Sequence, residues 1–135
     1  MKSMYEKNFD RLVKIGLITE DGKQRFEYNA KLKSGAYMDL SIDYIECAAD
    51  TTEYTISLAH NYEQNGDIMA DPDMEIRINP VNKTVEALTF QQDNLGIYQR
   101  VYVSKNSFYP KLKDQLNSFL SQWLQNLINQ GFVLA

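Results

Sequence analysis

Cysteine occurs once in the 135 residues, as Cys47, which excludes an internal disulfide framework and any zinc site built on several thiolates. The six glycines are scattered singly, so there is no GxGxxG or GxxxxGK phosphate loop and no cofactor motif, and a GxSxG elbow is also missing. No apolar run approaches the ~18 residues that a membrane span needs. Met1 to Glu6 lacks the apolar stretch of a secretory signal. The expectation is a cytoplasmic protein with no membrane partner. What is present, 44% hydrophobic and 24% charged residues, is the balance of a soluble globule. The length points to a single α+β domain over residues 1–135.

Positive charge is missing from one contiguous third. No Lys or Arg occurs from Ser34 through Ile76, while ten acids lie there: Asp39, Asp43, Glu46, Asp50, Glu53, Glu63, Asp67, Asp71, Asp73 and Glu75. The whole chain carries a net −4, so the flanks are net basic. A segment without clustered Lys and Arg cannot supply the phosphate-neutralising term of nucleic-acid binding, which excludes direct nucleic-acid contact through this region. Its tyrosines, Tyr44, Tyr54 and Tyr62, sit among carboxylates and not among the bases of a stacking groove. The plain reading is a solvated acidic face. The functional one is a surface for a protein partner of basic character.

The pattern of apolar residues predicts a helix, a six-stranded antiparallel meander and a long C-terminal helix packed on one sheet face. Ser3 and Glu6 have capping-box spacing ahead of Tyr5, Phe9, Leu12 and Val13, and Gly16 suits the end of a helix over 4–15. Alternation over 25–33, 38–44, 54–61, 74–79, 84–90 and 97–103 predicts strands joined by short connections. Asn65-Gly66 ends the third strand, and residues 67–72 read as a polar loop. Asn106 or Ser107 is expected to cap the last helix, with Pro110 in its first turn. There Leu112, Leu116, Phe119, Leu120, Trp123 and Leu127 form a wide apolar stripe up to Gly131.

Several residues could carry chemistry. A Cys47–His60 nucleophile pair is formally available from neighbouring strands, but the surrounding acids would raise the thiol pKa, and a small structural cysteine is the plainer reading. His60, Glu63, Asp67, Asp71, Asp73 and Glu75 offer hard-cation ligands close together, although not at EF-hand spacing. Asp71-Pro72-Asp73-Met74-Glu75-Ile76-Arg77 overlaps the two halves of a nuclease motif that a hairpin should separate. A metal-assisted hydrolase using His60, Glu63, Asp67 and Asp71 is therefore the alternative to a binding protein. His60 lies on the apolar face of its strand, where a hydrogen-bonded core-edge role is the plainer one.

Three polar stretches, His60 to Asp67, Asp71 to Met74 and Gln91 to Gln99, together with Leu116 to Phe132, look like an uncharacterised family of small proteins found in Gram-positive conjugative elements, plasmids and phages. The likeness covers roughly residues 37–132. A more distant likeness exists to another uncharacterised bacterial family of the same helix–sheet–helix pattern. The resemblance implies a mobile-element accessory protein and supplies no activity, cofactor or catalytic residue. It directs attention to loops at one end of the sheet. The expected partner-binding residues are His60, Tyr62, Glu63, Asp67, Asp71, Asp73, Gln91, Asp93 and Tyr98. An antiparallel meander also leaves edge strands open to homodimer formation.

Overall fold

Ser3 opens helix α1 (Met4–Ile15) with the expected capping box: its Oγ accepts from the Glu6 N–H at 3.2 Å, and Glu6 Oε1 accepts from the Ser3 N–H at 2.9 Å. The helix closes at Gly16, whose φ of +96° lets the Gly16 and Leu17 N–H groups return to Val13 and Leu12 carbonyls. Phe9, Leu12 and Ile15 face inward. The computed structural model describes residues 1–135 apart from 36, 49, 50, 65 and 66, and describes 61–64 and 67–71 by backbone alone.

The strands are β1 (Asn29–Ser34), β2 (Tyr37–Cys47), β3 (Tyr54–Gln64), β4 (Asp67–Asn79), β5 (Thr84–Ala87), β6 (Thr89–Gln92), β7 (Ile97–Arg100), β8 (Tyr102–Ser104), β9 (Ser107–Phe108) and β10 (Val133–Leu134). Eight form one antiparallel sheet in the order β10-β1-β2-β3-β4-β6-β7, with β5 beside β4, while β8 and β9 form a separate hairpin. The fold is α+β, with the N-terminal helix, the antiparallel sheet and the C-terminal helix in the expected order.

Residues 67–72, expected as a loop, are strand. The pairing of Gln64 with Asp67 and of Tyr62 with Met69 carries the β3–β4 ladder through them. Pro72 escapes the usual penalty because the register shifts between Ala59 and Asn61, and a proline lacking an N–H is tolerated at such a bulge. The strand expected over 25–33 begins only at Asn29. The strand expected over 84–90 is broken at Leu88. There Leu88 N–H donates to the Glu75 carbonyl, and the Thr89 hydroxyl takes the Glu75 N–H at 3.1 Å, inserting one extra residue.

Helix α2 (Pro110–Asn129) has Pro110 at its first position and Tyr109 as its cap, with no side-chain capping bond. Asn106 and Ser107 are instead spent on the β8–β9 hairpin. Leu116, Leu120, Trp123, Leu124 and Leu127 are buried against the sheet residues Leu32, Leu40, Ile42, Ile56, Leu58, Met74, Ile76 and Ile78. Phe119, expected in the stripe, is 40% exposed, with its ring edge-on to Phe90 at 5.2 Å between centroids. At the far end Gly131 (φ +79°) reverses the chain, and Phe132 N–H returns to the Leu127 carbonyl while its ring is buried. β10 then pairs with β1.

Candidate functional site

Alternation divides every strand between an apolar face under the helices and an outer face. Register aligns the outer residues into cross-strand rows, because paired residues share a face. One row runs Lys31, Ser41, Ala59, Asp73, Gln91, Tyr98. The next holds Asn29, Asp43, Ser57 and Glu75, and the one beyond it Glu46, Thr55, Arg77 and Glu86. To these rows the central strand β3 contributes the small side chains of Thr55, Ser57 and Ala59, all buried between their taller neighbours. Carboxylates on β2 and β4 therefore stand over a low middle strand.

Among the described residues, two acids of the central segment are neutralised from the flanks: Asp39 by Lys33 at 3.5 Å, and Glu53 by Arg77 at 3.8 Å. Asp43, Glu46, Asp73 and Glu75 make no ion pair with any described residue. The consequence is sharpest at Asp73. Partial burial, reinforced by the negative charges of Glu75, Asp43 and Asp93, pushes its carboxyl up to about 6. A carboxyl so placed is poised to gain from an incoming cation.

A family model for a domain of unknown function, DUF6908, matches residues 7–133. The chain belongs to that family. No curated protein and no solved structure matches the chain significantly. Membership fits the expectation of an uncharacterised family and adds no activity to the geometry of the DUF6908 fold.

The expected site residues divide by face and by strand. Asp73, Gln91 and Tyr98 share one outer row, and Gln91 Nε2 donates to Asp93 Oδ1 at 2.7 Å in the short 3-10 turn over Asp93–Leu95. His60 is not with them. It pairs with Leu40 on the apolar face, its ring centroid 5.9 Å from both Trp123 and Phe132, and Nδ1 lies 3.4 Å from the Asp39 carbonyl oxygen. The side chains of Tyr62, Glu63, Asp67 and Asp71 lie outside the described residues. Among the described residues no group of three or more His, Cys, Asp or Glu could hold a metal ion. Cys47 is exposed and not a structural core residue. It pairs with Tyr54, while His60 pairs with Leu40 at the other end of the same ladder, roughly 20 Å away at the rise of a strand, so the two cannot act together.

Sequence reading missed a second cluster, at the sheet edge. Arg77 donates to Glu86 Oε1 from Nη2 at 2.7 Å and from Nε at 3.2 Å, with its guanidinium over the Tyr102 ring at 5.1 Å. Tyr102 donates to Glu86 Oε2 at 2.8 Å and accepts from Lys113 Nζ at 3.2 Å. Lys113 is also faced by the Phe108 and Tyr5 rings at 4.6 and 5.6 Å. Burial raises the Glu86 carboxyl, but the hydrogen bonds from Arg77 and Tyr102 outweigh it and hold the group below the usual glutamate range. The one signal that could have found part of it is the hairpin closed at Asn79 to Thr84, which sets Arg77 opposite Glu86. No helix among the described residues is long and apolar enough to cross a membrane.

Proposed function

We propose that this DUF6908 protein is a non-enzymatic docking module whose outer sheet face receives a basic segment of a protein partner. The observation that supports it is the set of four carboxylates on one face, Asp43, Glu46, Asp73 and Glu75, which make no ion pair with any described residue. Tyr98 lies in the Asp73 row and is exposed, offering apolar area and a hydroxyl at small entropic cost. Complementary charge accelerates encounter more than it deepens affinity, so the interaction should be salt-sensitive in its association rate. The likeness of three polar stretches to small proteins of conjugative elements and phages supports an accessory role in a mobile genetic element.

The test is capture of host-lysate proteins on the immobilised wild-type chain and on the Asp43→Asn/Asp73→Asn variant, followed by association kinetics with each captured protein. The expected result is a basic protein whose association rate falls with added salt and falls several-fold in the variant. Equal rates with both proteins at every salt concentration would remove the docking reading.

A further inference from the structure

A groove of about 350 Å³ opens on the outer face between β2, β4, β7 and the β8–β9 hairpin. That volume lies at the lower end of the range for small-molecule sites, roughly 300–1,000 Å³. Five charged side chains line it: Glu46, Glu75, Arg77, Arg100 and Lys105, with Tyr102 as an aromatic wall. Arg77 is already engaged by Glu86, Glu53 and the Tyr102 ring, all within the molecule. The other four make no ion pair with any described residue. Arg100 Nη2 donates to the Tyr98 hydroxyl at 3.3 Å, and the guanidinium feels the Glu75 charge.

Two carboxylates and two cations thus share one concavity with no contact ion pair among the described residues, the Glu75 charge acting on Arg100 from a longer distance. The backbone accounts for that. Glu75 and Arg100 are held on different strands, with Thr89 between them: Arg100 pairs with Thr89, and the Thr89 hydroxyl is tied to the Glu75 N–H. Glu46 comes from β2, across the low row of β3, and Lys105 comes from the β8–β9 hairpin. The hairpin wall is itself fixed, since Tyr102 and Phe108 pack around Lys113 of α2.

We infer that the groove between Glu46, Glu75, Arg100 and Lys105 is a binding site for a small zwitterion of the amino-acid class. The ammonium end sits toward Glu46 and Glu75, and the carboxylate end toward Arg100 and Lys105. A ligand with both charges satisfies both poles and adds no net charge to the site. A ligand with one charge satisfies one pole and meets the other as a repulsive wall. Selectivity for two charges at a set separation follows. The groove shares Glu46 and Glu75 with the docking face, but a titration with small compounds needs no protein partner, so its failure and the failure of the docking reading are distinguishable.

The experiment titrates the isotopically labelled full-length chain with glycine, 4-aminobutyrate and 6-aminohexanoate as rulers of charge separation, and with butylamine and butyrate as single-charge controls, following amide shifts by NMR. The expected result is saturable shifts confined to residues 46, 75, 88–89 and 100–105 for one length of zwitterion. Each control should bind about fivefold to tenfold more weakly. Glu75→Gln and Arg100→Gln should each weaken the zwitterion by about the same factor, while Lys31→Gln, on the same face outside the groove, leaves it unchanged. Non-saturating shifts for all five compounds overturn the site, as does equal binding of the zwitterions and the controls. The compound arm needs no variant, so misfolding of a substituted chain cannot shelter the inference.

Discussion

The edge cluster around Glu86 and the open face around Asp73 both draw on strand β4 and on carboxylates of its outer face, yet their charges end in opposite states. At the edge, Glu53 and Glu86 meet Arg77 and Lys113, two against two, and the half-buried carboxylate is held ionised by direct hydrogen bonds. Only a few residues earlier on β4, Asp73 makes no ion pair with any described residue and resists ionisation. Charge density is therefore a poor guide to function. What separates scaffold from available surface is whether the fold brings the counter-charge into direct contact, as it does at Arg77 and Lys113 and does not at Asp73 among the described residues.

The largest effect should come from breaking the closed side of the comparison. Glu86→Ala removes the acceptor for Arg77 and Tyr102 and leaves two half-buried cations facing each other across the Tyr102 ring. The expected loss is about 2–3 kcal/mol in urea unfolding, below the cost of opening a fully buried pair. Asn117→Ala should cost about 2 kcal/mol. Its Oδ1 accepts from the Ala87 N–H at 2.8 Å, its Nδ2 donates to the Lys113 carbonyl at 2.8 Å, and the residue is fully buried. A loss under about 0.5 kcal/mol for Glu86→Ala would show that the edge network is ornamental.

Breaking the open side should act in the opposite direction. A carboxyl whose folded pKa is raised holds its proton more tightly when folded, so its contribution favours the folded state at low pH and is lost as pH rises. For Asp73 the window runs from the ordinary value of 3.8 to about 6. Asp73→Asn should therefore stabilise the chain above pH 6, by about 1 kcal/mol after allowance for solvent screening of a half-exposed group, and should do nothing near pH 3. Thermal melts of both proteins across that range measure it. Curves displaced equally at every pH would mean that the substitution acts through packing and not through charge.

The same contrast explains what was legible in the sequence. Local signals were read correctly: the Ser3–Glu6 box, Gly16 and Gly131 as helix ends, and the period-two rows of Leu40, Ile42, Ile56 and Leu58 depend on neighbours within a few residues. The acid run was visible as composition. Which acids would be neutralised was not, because Glu86–Lys113 and Arg77–Tyr102 join positions far apart in the chain. Residues 67–72 misled for a related reason. Asp and Pro signal a loop, and only the register shift opposite Ala59 makes room for Pro72 in a strand. Short pieces such as β9 and β10 carry too little pattern to be seen before their partners are known.

The smallest predicted effect sharpens the open side most. If Asp73 is held up by its neighbours as well as by burial, removing them one at a time should lower its midpoint in graded steps. Glu75 is the stronger contributor and Asp43 the weaker, both acting across the outer rows. Glu75→Gln should move the Asp73 carboxyl titration, followed by carbon NMR, down by about half a pH unit or less, and Asp43→Asn by less than that. Both changes sit on the surface, so Tm should shift by no more than about 2 °C. An unmoved midpoint in both variants would leave burial, with Asp93, as the source of the displacement. Asp43, Asp73 and Glu75 would then be electrostatically independent, and the face would present separate charges and not the one collective field that a basic partner would feel.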